Sequence, residues 1–480
     1  MLKNKIKKLL VASLLITTAP LTYAHGADSQ TLSTLKDSKG DKLTAKQMLF
    51  RENPGLLKAV AKGGAFGGEF SAAIAYDIFG RSEQAVNDAK RLGRIEEVAP
   101  RTWMLYLPIV NAVLFETDEG LILVDTGMNA AGEAIKSLIK SVSNKPIHTI
   151  IYTHCHVDHT YGTWALMENK PQVISQKELP KCFDRYYQQR GSLAKYLGQP
   201  LSSLPRSKED FVYPTKTFDK KLTITVGGEN FELRAHRGET DDQLYVYAPN
   251  RDAIATADYY QGFLPNAGNG KRLQRYPGEW ADALLEMASE NPTLLLPAHG
   301  LAIKDPALIK ENLTVLANAL NYIVEHTKAQ LNKGMRKDLI PATLKLPKQY
   351  KEHPTLNEQY VSPQDISKMV IKLHTGWWDD IPSHWSPAPL KAQYKEIVRL
   401  AGGVDIVAKR ARELAPTDIK MALHLTDYLW YSQPENPKVQ ELLIEIYRQR
   451  VLAKGTNTME MVNYLKEMIK ARTLQLEQKS

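Results

Sequence analysis

Short apolar runs that end in polar residues recur through the first two thirds of this 480-residue chain. Residues 148–153 form a β-branched run of the kind that predicts a buried strand. The runs at 253–257 and 294–298 have the same form, and a polar residue follows each of them. Because α/β folds usually build their sites where strands end, these places are candidate positions for functional side chains.

From residue 306 onward the pattern changes to a helical one. Apolar residues at 308–324 follow helical spacing, a Pro- and Lys-rich stretch at 341–354 interrupts them, and helices recur from residue 402. Such helical hairpins need neighbours to bury their apolar faces. The predicted segments are a signal peptide at 1–24, an extension at 25–95, an α/β domain at 96–305 and a helical domain at 306–480.

The densest polar motif is His-Cys-His-Val-Asp-His at residues 154–159, directly after the first of these strands. It holds three of the chain's 12 histidines and one carboxylate, which are ligand types that suit zinc and similar divalent metals. His154 and His156 alternate by two and can face one metal, whereas Asp158 and His159 are adjacent and turn toward a second position. A cluster of ordinary surface histidines is the alternative, and the polar residues at the other strand ends argue against it.

Four motifs resemble the metallo-β-lactamase superfamily of metal-dependent hydrolases, over about residues 96–305. They are Thr-His-Cys-His-Val-Asp-His at 153–159 (the metal loop), Leu-Val-Asp-Thr-Gly at 123–127, the strand-end Asp258 and Pro-Ala-His-Gly at 297–300. The resemblance implies an α/β fold, with a catalytic αββα sandwich followed by an all-α helical dimerisation domain.

The resemblance also implies two Zn²⁺ ions per subunit with a metal-bound hydroxide between them. The implied ligands are His154, His156 and Glu239 for one ion, Asp158, His159 and His299 for the other, and Asp258 as the bridge. Asp158 is counted as a catalytic residue as well as a ligand. Asp125 is expected to support the metal loop through hydrogen bonds, as its counterpart does in the family.

The third ligand of the first ion has two candidates. Most members of the superfamily carry Thr-Pro-Gly-His-Thr at this place, and that frame puts Glu239 on the histidine, with His236 three residues earlier. A carboxylate there resembles the alkylsulfatase branch. We favour Glu239 because the frame then continues without a gap into Leu244-Tyr-Val-Tyr. The alternative is that His236 binds the metal and Glu239 lies behind it.

The segment after Asp258 extends the resemblance to alkylsulfatases, which carry an asparagine and a cation here that hold the sulfate. Asn266 falls at the matching offset, and Lys271 or Arg272 falls near the place of the cation. A forked guanidinium suits a tetrahedral oxyanion, although a solvated basic loop is the alternative. Asn111, which interrupts an apolar strand, is a weaker candidate.

The aromatic stretch at 374–387 resembles the Gly-Trp-Tyr-Asp-Gly-Asn-Pro segment that opens the dimerisation part of alkylsulfatases, so we expect a homodimer. Two departures from that branch stand out. Asp258 replaces the frequent glutamate, and no sterol-carrier-like domain follows the helices before Ser480. Both departures argue against long-chain alkyl sulfates as substrates and leave the hydrolytic machinery unchanged.

The N-terminus has the form of a secretory signal, with four lysines, an apolar core that starts at Leu9, and a cleavage motif that ends at Ala24. A retained anchor is the alternative, but the apolar run is short and Pro20 interrupts it. The protein is therefore expected to be periplasmic or secreted, without stable membrane insertion. The net charge is +9, and removal of the four lysines leaves +5. This excess is compatible with an anionic substrate and does not indicate nucleic-acid binding.

Cys155 and Cys182 are the only cysteines. An export compartment permits a disulfide, but a bond at Cys155 would pull on the metal loop, so we predict that both thiols are free. Cys155 as a metal ligand is the alternative. Adjacent strand positions face opposite ways, so its side chain is expected to face away from the metals.

These inferences predict an exported binuclear zinc hydrolase whose substrate is a small anionic sulfate ester. The same machinery can open a β-lactam, a lactone or another ester, because the superfamily changes substrates by changing loops, and this is the main alternative. A remote alternative is a non-catalytic envelope protein that uses its helical half for interactions. Such a protein would have no need of seven metal ligands.

Overall fold

The computed structural model describes residues 44–56, 59, 83–107, 109–197, 201 and 204–478. The predicted signal peptide at 1–24 and most of the predicted extension at 25–95 lie outside these residues. Within them, no helix combines the length and the apolar character that crossing a bilayer requires.

The first β-sheet has seven strands that lie side by side in chain order. Strands β1 to β4 pair antiparallel, and β4 to β7 pair parallel. The strands are β1 Arg94–Ala99, β2 Thr102–Tyr106, β3 Asn111–Glu116, β4 Leu121–Val124, β5 Ile147–Ile151, β6 Gln172–Gln176 and β7 Lys216–Phe218. The predicted β-branched run lies in β5 and continues to the start of the metal loop.

The second sheet has five strands in the order β12-β11-β10-β9-β8. Its pairs are antiparallel except β11 with β12, which is parallel. The strands are β8 Lys221–Val226, β9 Glu229–Ala235, β10 Leu244–Ala248, β11 Ala253–Ala257 and β12 Leu294–Pro297. Strands β10 and β11 are buried along their whole length, which explains their nearly continuous apolar sequences.

Sixteen helices lie among the described residues. They are α1 Ala45–Glu52, α2 Glu83–Leu92, α3 Gly132–Lys140, α4 Val157–Thr160, α5 Leu179–Gln188, α6 Arg190–Leu197, α7 Pro277–Ser289, α8 Pro306–Asn332, α9 Leu339–Thr343, α10 Lys348–Lys351, α11 Pro363–His374, α12 Leu390–Leu400, α13 Val404–Leu414, α14 Ile419–Ser432, α15 Pro437–Leu452 and α16 Thr458–Glu477.

Two layers of core hold the sheets and helices together. Side chains from the facing sides of both sheets form one core, in which the rings of Phe115 and Phe231 lie 5.4 Å apart. A second core covers the other face of the first sheet with α3 and α5. Helix α7 covers the outer face of the second sheet, where Glu286 pairs with Arg234 of β9. The predicted αββα sandwich followed by helices is confirmed.

The contacts divide the chain into two compact units, residues 72–377 and residues 1–71 together with 378–480. The first unit includes both sheets and α2 to α11. In the second unit, α1 packs with the C-terminal helices, and Glu52 pairs with Arg472 of α16. The boundaries at 95 and 305 inferred above stay predictions.

Cys155 and Cys182 form a disulfide with their Cα atoms 6.0 Å apart, so the prediction of two free thiols is wrong. Cys155 does turn away from the histidines, into the core that also contains Tyr152 and Phe183. Cys182 lies on α5 at the edge of that core. The bond therefore reaches the metal loop from behind and does not compete with the ligands. The separation of 27 residues hid this proximity from the sequence argument.

Replacing both cysteines with alanine should lower the free energy of unfolding by about 3 kcal/mol, because the bond closes a loop in the unfolded chain. Urea unfolding of the metal-free wild-type and Cys155→Ala/Cys182→Ala proteins measures this difference. Wild-type protein unfolded with a reductant serves as the control and should match the variant. Equal midpoints for the oxidised protein and the variant would contradict the prediction.

Candidate metal centre

The side chains that sequence analysis singled out as ligands converge at the ends of strands from both sheets. The metal loop follows β5 of the first sheet, and Glu239 lies between β9 and β10 of the second. Asp258 follows β11, and His299 follows β12. Because β11 and β12 are parallel, their carboxyl ends lie at the same edge of the sheet. This topology brings residues 141 positions apart in sequence, Asp158 and His299, into one site.

Asp258 lies between two imidazoles. Its Oδ1 is 3.3 Å from His159 Nε2 and 3.2 Å from His299 Nε2. Its Oδ2 is 4.0 Å from His154 Nε2, and Asp158 Oδ2 lies 3.7 Å from His159 Nε2. The possible ligand atoms of His154, His159 and Asp258 lie within 4.8 Å of one another, as do those of Asp158, His159 and His299. His159 belongs to both groups, and Asp258 belongs to the first. The role of Asp258 as a bridge between two ions stays a prediction.

His156 and Glu239 lie beside this cluster. His156 Nδ1 is 2.9 Å from His154 Nε2 and 3.5 Å from Glu239 Oε1. Glu239 is 2% exposed, and His154 is fully buried. His154, His156 and Glu239 therefore lie close together, and their assignment to one ion stays a prediction.

The residues fit metal ions. His159 Nδ1 hydrogen-bonds Asp125 at 2.7 Å, and His299 Nδ1 donates to the carbonyl of Ile109 at 2.6 Å, so the Nε2 lone pairs of both rings face the centre. Among the described residues, His159 Nε2, Asp258 Oδ1 and Glu239 Oε2 are buried without a hydrogen-bond partner. Buried polar atoms normally have partners, and divalent cations at the two predicted positions would satisfy all three.

Burial and mutual charge set the protonation of the centre. Burial lowers the pKa of His154 and His156 well below the usual range, so both rings are neutral and can bind metal. Burial also lowers the pKa of His159, but Asp258 and Asp125 outweigh it and raise the pKa to about 10. Burial raises the pKa of Asp258, yet His299 and His159 hold it well below the usual range. The negative charge of Asp258 therefore needs a positive charge beside it. The protonated imidazoles supply that charge here, and a bound metal ion would supply it in place of their protons.

Asp125 holds the metal loop, as expected. Its carboxylate accepts hydrogen bonds from the backbone amide of Thr153 at 2.9 Å and from the Thr153 hydroxyl at 2.8 Å, besides its bond to His159. Asp125 has a positive φ of 62° at the turn after β4, and this conformation aims its side chain at the neighbouring loop.

Of the two candidates for the third ligand, only Glu239 lies with the histidines of the metal loop. His236 Nε2 instead contacts Glu286 Oε2 of α7 at 2.5 Å, on the outer face of the second sheet. His236 and Glu239 both follow β9, but their side chains lie on different sides of the second sheet. Glu239 as a ligand stays a prediction, now with the geometry that it requires.

The predicted sulfate-binding residues lie on the segment after β11. Asn266 Nδ2 donates to Glu239 Oε1 at 2.7 Å. Arg272 is close enough to His156 for its charge to add to the effects of burial and His154 in lowering that ring's pKa. Lys271 is half-buried, and its backbone amide donates to Asn269 Oδ1 at 3.1 Å. The structure thus brings Asn266 and Arg272 to the centre.

Sequence reasoning missed Arg275 and Tyr360. Arg275 is 1% exposed, with Nη2 3.0 Å from Glu239 Oε1. Burial raises the pKa of the Tyr360 phenol, and the charge of Glu239 raises it further. Arg275 stands just before Pro277, at the start of a helix, and this position is only a weak sign of a functional residue. Tyr360 comes from the helical region and belongs to no local motif.

Asn111 has a structural role. Its Nδ2 donates to the carbonyls of Pro297 at 3.0 Å and Gly300 at 2.8 Å, on either side of His299. The asparagine interrupts an apolar strand because it holds the loop that carries His299.

Comparison with known proteins gives the family. A model described as the Metallo-beta-lactamase superfamily matches residues 105–299, and one described as Alkyl sulfatase dimerisation matches residues 337–473. The chain combines a metallo-β-lactamase superfamily domain with an alkylsulfatase dimerisation domain. The resemblance stated from the motifs is therefore confirmed.

Curated relatives of this two-domain chain include alkylsulfatases. It is 26% identical to a linear primary-alkylsulfatase of Pseudomonas sp. (strain ATCC 19151), with 62% of each chain covered. It is 23% identical to the alkyl/aryl-sulfatase BDS1 of Saccharomyces cerevisiae, with 72% of this chain and 58% of the yeast protein covered. The chain thus spans about three fifths of the length of these relatives.

Among solved structures, the stereoselective inverting sec-alkylsulfatase Pisa1 from Pseudomonas sp. has a similar fold. The TM-score is 0.73 at 18% identity, with 97% of this chain and 77% of that chain covered. This likeness shows that the two proteins share the sandwich and the helices that follow it.

Asp125→Asn should weaken binding of the ion at His159 by about ten- to hundredfold, because the ring loses the carboxylate that orients it. Zinc affinity can be measured by competition with a chelator of known affinity. Asp118→Asn is the control, since Asp118 has a 79% exposed side chain that pairs with Arg101. Equal zinc affinity in Asp125→Asn and wild-type protein would show that this carboxylate does not orient a ligand.

Proposed function

We propose that this protein is an exported binuclear zinc hydrolase of small sulfate esters. The observation that carries the proposal is the convergence of four imidazoles and of the carboxylates of Asp158 and Glu239 around the buried Asp258. The alkylsulfatase dimerisation domain and the alkylsulfatase relatives support the substrate class. They also support a homodimer.

The proposed ligand sets are those inferred from the motifs. His154, His156 and Glu239 hold one ion, Asp158, His159 and His299 hold the other, and Asp258 is shared. Two zinc ions in such a site lower the pKa of a water molecule toward neutrality and stabilise charge on an attacked or leaving oxygen.

The chain's own residues prepare the substrate. Arg272 is the better supported of the two predicted cations for holding the sulfate, since its charge acts at His156. Asn266 and Arg275 both contact Glu239 Oε1, so these two side chains fix the position of the carboxylate. Asp158 keeps a side chain that is 26% exposed, so this carboxylate remains accessible to solvent.

Export is supported by two features of the chain. The N-terminal segment has the form of a signal peptide, with cleavage near Ala24. The Cys155–Cys182 disulfide is of the kind that persists in oxidising compartments such as the periplasm. We therefore place the proposed enzyme in the periplasm or outside the cell.

A zinc-loaded screen of short and long alkyl sulfates, an aryl sulfate and a β-lactam reporter tests the substrate class. We expect sulfate release, and a drop of more than about a hundredfold in His154→Ala, because loss of a ligand costs more than loss of a residue that only orients one. His148→Ala is the matched control, since this exposed histidine is the second residue of β5, the strand that precedes the metal loop. Turnover of the lactam alone would move the protein to another substrate class, and no turnover at all would favour a binding role.

The ligand choice has its own test. Glu239→Gln should reduce zinc content and sulfate release together, because a neutral amide binds zinc poorly. His236→Ala should keep two zinc ions per chain, since its ring contacts Glu286. Zinc content by elemental analysis, measured beside sulfate release, separates the two. The opposite pattern would make His236 the ligand.

A further inference from the structure

We propose that the Cys155–Cys182 disulfide is a positioning element of the metal centre, which holds the His154–His156 pair in place for one of the two ions. The inference rests on the proposed two-metal centre and deepens it. It assigns the disulfide a role in metal retention that is separate from its effect on overall stability.

The four histidines differ in how they are anchored. His159 and His299 bond through Nδ1 to Asp125 and to the carbonyl of Ile109, which lie on other parts of the chain. In the described part of the structure, the side-chain hydrogen bonds of His154 and His156 stay within residues 153–156. The orientation of this pair therefore depends on the backbone that carries it.

The disulfide acts on that backbone at its midpoint. Cys155 stands between the two histidines and is itself fully buried in the helix-side core. Its covalent partner, Cys182, belongs to α5. A covalent bond at this position limits rotation of the two peptide units that carry the flanking imidazoles.

Helix α5 is a rigid support for the bond. Phe183 is fully buried and stacks on Phe211 with ring centroids 4.1 Å apart. Tyr186, 2% exposed, hydrogen-bonds the backbone of Val157. One helix thus holds the metal loop at Cys155 and at Val157, on both sides of His156.

The remaining support consists of hydrogen bonds. Asp125 binds the amide and hydroxyl of Thr153, the backbone of Cys155 hydrogen-bonds Asp242, and Tyr186 contacts Val157, so without the disulfide no covalent bond ties this segment to the core. The His154–His156 pair lies between these points, whereas His159 keeps its own bond to Asp125. Loss of the disulfide should therefore loosen one ligand set and spare the other.

The experiment measures zinc binding and release in the folded full-length chain. Cys155→Ala/Cys182→Ala should bind one of its two zinc ions about ten- to hundredfold more weakly than the oxidised wild type, as is typical when a residue that orients a ligand is lost. The affinity for the other ion should stay the same. Release to a zinc indicator should become biphasic, and excess zinc should restore sulfate release.

Reduction offers the same test without mutation. A trialkylphosphine, which binds zinc weakly, is the reductant: its phosphorus supplies two electrons and becomes the phosphine oxide, water supplies the oxide oxygen and two protons, and two thiols are formed. Zinc-loaded wild-type protein treated in this way should lose one ion to the indicator. Tyr186→Phe, which removes the second contact of α5, should accelerate release of the same ion to a smaller extent. These two measurements keep the test open if the double variant does not fold.

Ile139→Ala is the control for stability. Ile139 is buried in the same core on α3, and its truncation leaves a cavity that should destabilise the folded chain to an extent similar to loss of the disulfide. This variant should retain both ions with wild-type affinities.

Three outcomes would overturn the inference: equal weakening of both ions, no weakening, or the same selective loss in Ile139→Ala. If oxidised wild-type protein binds no zinc, the proposed function itself fails. If it binds two ions and the disulfide variant behaves identically, only the role of the disulfide is wrong.

Discussion

The buried negative charge of Asp258 is the interaction on which the site depends. A carboxylate out of water costs several kcal/mol unless it is paired, and here the Nε2 atoms of His159 and His299 lie 3.3 and 3.2 Å from one oxygen. These imidazoles hold the pKa of Asp258 low against the effect of burial. Without a metal these two nitrogens face Asp258 as protonated donors, and a bound metal ion would take the place of their protons.

The fold orients these rings by anchoring the outer atoms of the ligands. Asp125, at the turn after β4, orients His159 and the start of the metal loop. The carbonyl of Ile109 orients His299, and Asn111 holds the loop on both sides of that histidine. Each anchor comes from the first sheet, so the second sheet's ligands are fixed by contacts across the sandwich. The apolar core between the sheets thereby sets the geometry of the site.

The metal loop itself is held in another way. Among the described residues, the imidazoles of His154 and His156 make no side-chain hydrogen bond outside residues 153–156, and the disulfide to α5 fixes the backbone between them. The first ligand set also contains Glu239, a buried carboxylate. Asn266 and the fully buried Arg275 both contact Glu239, and burial raises its pKa to about 8 although Arg275 opposes the shift. The two halves of the centre thus differ in both mechanical support and charge.

The sequence by itself determined the ligand types, the strands that present them and the fold class. The metal loop follows a β-branched run, and Asp258 and His299 follow apolar runs, so local periodicity was enough to place them at strand ends. The role of Asp125 and the family also followed from motifs. Only the tertiary structure separated Glu239 from His236, since both follow β9 and differ in the side of the sheet that they face. The tertiary structure also paired Cys155 with Cys182 and brought Arg275 and Tyr360 to the centre. These contacts join segments far apart in the chain, and sequence spacing carries no information on such distances until the sheets are packed.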